Sequence, residues 1–156
     1  TRLSKETERI SNPNLLEGTL AYISPEQTGR MNRHIDYRTD FYSLGVTFYE
    51  MLTGILPFTA TDPMELVHCH IAKIPTPPHF INAQIPPVLS EIVMKLLAKT
   101  AEDRYQSAWG IKADLKTCLN HWLATGNIEH FPLGTQEISE KFQITQKLYG
   151  RKTEVS

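Results

Sequence analysis

The side chains best suited to chemistry in this 156-residue chain fall into three groups. His68-Cys69-His70 offers metal-ligating atoms. Arg30, Arg33 and Arg38 offer guanidinium groups for a phosphate or an acidic substrate. Thr1, Ser4, Thr7 and Ser11 offer hydroxyls in a polar leading stretch. The two histidines sit at i and i+2 in a segment that reads as helix, so their side chains point to different sides and do not converge on one ion. His34, His79, His121 and His130 show no ligand spacing, and no metal site is expected. The arginines read first as a solvated rim. Trp109 and Trp122 read as core or domain-edge packing rather than stacking platforms for bases.

The elements that must position these groups are helical. Residues 1–17 lack periodicity and read as a loop, and residues 18–39 stay irregular, punctuated by Gly18, Pro25 and Gly29. Asp40 opens a strong helix pattern as its cap. Phe41, Leu44, Val46, Phe48, Met51 and Leu52 wrap most of the way round, and Gly54 is placed to end the helix. A helix with so little charge beyond Glu50 belongs in a core. Asp62-Pro63-Met64-Glu65 starts a second helix, running to about Lys73, with Asp62 as cap and Glu65 able to close a capping box. Pro75, Pro77, Pro78, Pro86 and Pro87 impose an ordered loop or extended chain. Leu89, Ile92, Val93, Leu96 and Leu97 mark a third helix. Ser107 caps a fourth, with Trp109, Ile111, Leu115, Leu119 and Trp122 on or near its buried side. The pattern weakens from about residue 126 into a linker. The fold class is mainly α, a helical bundle led by an extended segment.

Composition narrows the function. Lys plus Arg number 16 against 17 Asp plus Glu, and the net charge of −1 asks for neither nucleic acid nor an anionic membrane. No apolar run approaches the ~20 residues that span a bilayer. Thr1-Arg2-Leu3-Ser4-Lys5-Glu6 has no signal-peptide core. Cys69 and Cys118 form no C-x-x-C pair, which fits a reducing, cytoplasmic setting better than a disulfide scaffold. A start without Met and an end on Arg151-Lys152-Thr153-Glu154-Val155-Ser156 read as a piece of a longer protein.

Four motifs follow one another in order: Gly18-Thr19-Leu20-Ala21-Tyr22-Ile23-Ser24-Pro25-Glu26, Asp40-Phe41-Tyr42-Ser43-Leu44-Gly45-Val46, Leu56-Pro57-Phe58 and Asp103-Arg104-Tyr105. The first resembles the end of a protein-kinase activation segment, G-T-x-x-Y-x-A-P-E, with Ser24 in place of Ala. The second resembles the D-x-W-S-L-G-V start of the large buried helix of the kinase C-lobe. The third resembles the L-P-F after that helix, and the fourth the D-R-Y element between the last helices. The likeness covers roughly residues 1–123. It implies a partial Ser/Thr kinase domain, a kinase-like C-lobe, over residues 1–125 and a linker over 126–156. Gly29-Arg30-Met31-Asn32-Arg33 and Glu65-Leu66-Val67-His68-Cys69-His70-Ile71-Ala72 are similar to kinase domains of large bacterial, especially cyanobacterial, multi-sensor proteins. There the kinase is followed by a P-loop NTPase, sensor and often histidine-kinase modules. Phe142 to Glu154 resembles the entry to that NTPase, although no G-x-x-x-x-G-K-[ST] lies within the chain.

The resemblance also implies roles. Thr19 would hydrogen-bond toward the catalytic Asp and Lys. Leu20, Ala21, Tyr22, Ile23 and Ser24 would line the pocket for the residue after the phosphoacceptor. Glu26 and Arg104 would form a buried ion pair. Asp40 would anchor the catalytic-loop backbone, or keep only its capping role here. Ser4, Thr7 and Ser11 lie where kinases carry activating phosphorylation, although a plain solvated loop accounts for them too. The Gly-rich loop, strand Lys, H-R-D-x-x-x-x-N and D-F-G of a kinase are not among these residues. ATP and Mg2+ would therefore be bound in the full kinase and not by this piece. The implied function is transfer of the ATP γ-phosphate to protein hydroxyls within a longer sensor protein, with this piece inactive alone. Its partners would be an unknown protein substrate and the neighbouring NTPase and sensor domains. A pseudokinase or docking module is the rival, and an unrelated helical interaction domain a third reading.

Overall fold

The computed structural model describes residues 18–138. The candidate phosphorylation sites Ser4, Thr7 and Ser11 lie outside them, as does the NTPase-like stretch from Phe142 to Glu154. The described residues are helical, with no strand among them. In chain order come a 3-10 turn at Pro25–Thr28, α1 at Arg38–Thr53, α2 at Pro63–Ala72 and α3 at Pro78–Ile81. Then follow α4 at Pro87–Leu96, a second 3-10 turn at Ala101–Asp103, and α5 at Ala108–Thr125.

α1 buries Thr39, Tyr42, Gly45, Val46 and Tyr49, a spacing of three and four that makes one inward stripe. The helix starts two residues before the expected Asp40. The Asp36 carboxylate accepts the Arg38 N–H at 2.9 Å, which satisfies a donor of the first turn. Asp40 is therefore not the cap and lies exposed in that turn. Gly54 does end α1, in the left-handed region at φ 78°, with its N–H on the Glu50 carbonyl at 2.8 Å. The apolar wrap is narrower than the sequence suggests. Met51 is 75% exposed, and with Phe48 and Leu52 it lines an open apolar groove shared with Leu89 and Leu115.

α4 is the element that α1 packs on, and α4 in turn packs on α5. Tyr42, Val46 and Tyr49 close one cluster with Val93 and Leu97. Val88, Ile92 and Leu96 close another with Tyr105, Ile111 and Cys118. The crossing is close because Gly45 has no side chain: a Cβ there would lie 2.8 Å from the Leu96 Cβ.

Asp62 caps α2 by accepting the Met64 N–H at 3.1 Å, and no return bond from Glu65 is formed among the described residues. The Pro-rich stretch is not wholly extended. Pro78 opens the short helix α3, where its missing N–H leaves no gap, and the Tyr49 hydroxyl donates to the Thr76 carbonyl at 2.7 Å to fix the approach. Ser107 caps α5 through the Gly110 N–H at 3.1 Å. The buried side of α5 is Gly110, Ile111, Asp114 and Cys118, whereas Trp109, Leu119 and Trp122 are each more than half exposed. The cause is polar. Asp114 takes an inner position because it accepts the Tyr105 hydroxyl and the Gly134 N–H, which turns the tryptophans outward. Beyond α5, Ile128, Phe131 and Leu133 fold back onto the α4–α5 cluster.

Gly45→Ala tests the close crossing. Alanine is the better helix former by about 1 kcal/mol. The methyl nevertheless meets the near-rigid Leu96 Cβ, so a net loss of about 1–3 kcal/mol in urea denaturation is expected. A stabilised variant would show that α1 and α4 do not meet there.

Candidate functional site

The turn Pro25–Thr28 is built by its own polar side chains. Gln27 Oε1 accepts the Ser24 N–H at 3.0 Å, the Thr28 hydroxyl donates to the Pro25 carbonyl at 2.6 Å, and Gly29 closes the turn at φ 73°. The turn packs on α2 and presents Glu26 inward.

Glu26 meets Arg104 from the far side of the fold. Arg104 Nη1 donates to Glu26 Oε2 and Nη2 to Oε1, both at 2.7 Å, with the two residues 4% and 1% exposed. The other guanidinium donors reach the carbonyls of Arg38 at 3.0 Å, Ala98 at 2.8 Å and Lys99 at 3.3 Å. All five N–H groups thus have acceptors. The Thr39 hydroxyl donates to Glu26 Oε2 at 3.0 Å, and Ser24 Oγ stands 3.4 Å from Thr39 Oγ1. Burial alone would raise the Glu26 carboxyl, but the hydrogen bonds and charge of Arg104 hold it below its ordinary value. The pair stays ionised.

The segment before this turn is tied down at several points. Tyr22 donates its hydroxyl to the Glu50 carboxylate at 3.0 Å, and Ser43 donates to the Tyr22 carbonyl at 2.8 Å. Leu20 packs on Phe58, Leu66 and Cys69. Ala21 and Ser24 are buried, Leu20, Tyr22 and Ile23 half-buried, and Thr19 exposed. The open edge is therefore Thr19, Leu20 and Ile23. Asp40 is separate from the pair, on the outer side of the same helix turn that supplies Thr39.

Below the segment lies a polar pocket of the core. His70 is fully buried, with Nδ1 hydrogen-bonded to the Tyr42 hydroxyl at 2.8 Å and its ring edge-on to Phe58. Burial lowers its pKa to about 4, so it is neutral. His68, two residues earlier, is exposed. Among the described residues no group of three or more His, Cys, Asp or Glu is placed to hold a metal ion. Lys99 lies beside this pocket, donating to the Cys69 carbonyl at 3.1 Å, and burial lowers its pKa to about 8. Of the three candidate arginines, Arg38 is held by Asp36 at 2.7 Å, Arg33 faces Glu102 at 3.6 Å, and Arg30 lies against the Met64 sulfur.

Thr39 and Glu50 belong to the site and carry no signal in the sequence, because each is recruited by a residue distant in the chain. The arrangement is a clamp. It holds the open edge of residues 18–24 in a fixed position.

The protein kinase domain family matches residues 2–122. The chain is 41% identical over 88% of its length to hybrid signal transduction histidine kinase G of Dictyostelium discoideum, of which it spans 5%. It is 40% identical over 72% of its length to a "probable serine/threonine-protein kinase" of Clostridium perfringens, spanning 16% of that protein. It is 42% identical over 63% of its length to the serine/threonine-protein kinase PknB of Mycolicibacterium smegmatis, spanning 15%. The twitchin kinase region from C. elegans shares the fold, with a TM-score of 0.54 at 22% identity over 88% of this chain and 22% of that one. Among the described residues no helix is long and apolar enough to cross a membrane.

Glu26→Gln tests the clamp. It leaves the Arg104 charge buried without its partner, and a loss of about 3–5 kcal/mol is expected at pH 7 in urea denaturation. The wild-type contribution is fully present above the ordinary glutamate value of 4.5 and is lost as pH falls through the lower folded value. On acidification below that point the two proteins should therefore converge in stability. A constant gap across the series would remove the ion pair from the account.

Proposed function

The chain belongs to the protein kinase domain family, and from that membership we propose that it is the substrate-facing part of a serine/threonine kinase domain. The observation that carries this reading is the bidentate, fully satisfied Glu26–Arg104 pair that locks Ser24-Pro25-Glu26 onto Thr39 of α1. A segment locked there offers a preformed edge for an extended peptide, which limits the ordering cost of binding. Thr19 is the exposed residue of that edge, and Leu20 and Ile23 are its half-buried apolar members. In this reading the edge contacts the chain that flanks the phosphoacceptor hydroxyl, and residues upstream of Thr1 complete the site.

The serine/threonine specificity is supported by the names of the bacterial relatives at 40% and 42% identity. The likeness to a hybrid signal transduction histidine kinase, of which this chain spans 5%, supports a multi-domain parent, and the proposal places NTPase and sensor modules as neighbours in that parent. ATP and Mg2+ belong to the parent's reaction. In this reading the piece positions a peptide, and the groups that hold Mg-ATP and move the phosphoryl group lie elsewhere in the parent. The proposal implies a cytoplasmic setting, where ATP is available.

The test is phosphoryl transfer by the parent protein. With Mg-ATP and a protein substrate it should label serine or threonine, while residues 1–156 alone should neither bind Mg-ATP nor turn it over. A parent that binds substrate protein yet transfers no phosphate would make this domain a docking module instead.

A further inference from the structure

Gln106 sits where three parts of the molecule meet. Its side-chain amide donates to the carbonyls of Arg104 at 2.6 Å, Glu102 at 3.0 Å and Ala101 at 3.2 Å. Its Oε1 accepts Arg38 Nη1 at 2.9 Å, and its carbonyl accepts the Tyr37 hydroxyl at 2.5 Å. Its backbone N–H donates to Glu137 Oε2 at 3.1 Å. Glu137 in turn accepts the Ser107 hydroxyl, both on its carboxylate and on its carbonyl. Three residues before Glu137, the Gly134 N–H donates to Asp114 Oδ2 at 2.9 Å, the same oxygen that accepts the Tyr105 hydroxyl at 2.5 Å.

The stretch that supplies Gly134 and Glu137 lies beyond residues 2–122, where the family likeness ends. It is nevertheless bonded directly to Gln106 and Ser107, and it meets Tyr105 through the shared Asp114 carboxylate, so it touches or nears all three residues that follow Arg104. We propose that residues 131–137 are a strap that positions the Glu26–Arg104 clamp, with Glu137 and Gln106 as the positioning residues. Phe131 and Leu133 anchor the strap in the core, and Glu137 is its polar tip. Through Gln106 that tip reaches both the Arg104 carbonyl and Arg38, whose own carbonyl is an Arg104 acceptor. A pull on the chain after Glu137 therefore acts on the loop that carries the guanidinium. If the kinase reading above holds, the strap gives whatever follows it in the chain a route to the peptide-facing edge.

Gly110 supplies an independent handle. A Cβ on Gly110 would overlap the Glu137 carboxylate, the movable end of a flexible side chain. Gly110→Ala should push that carboxylate off Gln106 while favouring the helix itself.

Hydrogen exchange on the 156-residue chain tests the strap. The reporters are the Tyr22 and Gln27 amides, which bond to the Thr19 and Ser24 carbonyls. Glu137→Ala and Gly110→Ala should each speed exchange there by about tenfold and leave the α4 amides unchanged. Glu137→Gln keeps an acceptor oxygen and should recover most of the protection. Unchanged exchange at Tyr22 and Gln27, or equal acceleration throughout α4, overturns the proposal. The readout involves no phosphoryl transfer, so its failure is distinct from failure of the kinase reading.

Discussion

A buried guanidinium must find acceptors for all of its donors, and the architecture of this chain follows from how Arg104 does so. An unpaired charge in that position would cost several kcal/mol. Meeting the demand brings Glu26 from 78 residues away and aims the carbonyls of Arg38, Ala98 and Lys99 at one point. The start of α1, the loop after α4 and the turn Pro25–Thr28 must therefore converge. Their convergence is what makes an irregular leading segment part of a helical fold.

The apolar core supports this arrangement without specifying it. α1, α4 and α5 pack through Val46, Val93, Ile92, Leu96 and Ile111, contacts that many sequences could supply. Specificity comes from polar pairs set inside the core. Tyr42 meets His70, Tyr105 meets Asp114, and Tyr22 meets Glu50 at its edge. Each fixes one element against another, because misplacing either partner leaves a polar group buried without a bond.

Local chemistry was legible in the sequence and long-range pairing was not. Gly54, Asp62 and Ser107 announce helix ends through interactions spanning a few residues, and the structure has those ends. The start of α1 is not legible from local chemistry, because Asp36 and Asp40 both precede apolar residues and it is Asp36 that accepts the Arg38 N–H. Hydrophobicity leaves Trp109 and Trp122 open between core and domain-edge packing, and the structure has them more than half exposed. Their outward position depends on Asp114 being claimed by Tyr105 and by Gly134, 20 residues on. The Glu26–Arg104 pair was readable only by likeness to a known motif. Its supports Thr39, Gln106 and Glu137 have no signature, because nothing local marks the partner of a side chain 13 or 31 residues distant.

The central claim is that Glu26 and Arg104 act as one unit, and a double-mutant cycle measures that directly. Glu26→Gln, Arg104→Gln and the double variant would be compared by urea denaturation at pH 7, with the Gln27 amide followed by hydrogen exchange. The account predicts that the second substitution costs far less once the first is made, a coupling of about 2–3 kcal/mol, and that either one alone exposes Gln27. Additive losses, with Gln27 still protected in the single variants, would contradict it.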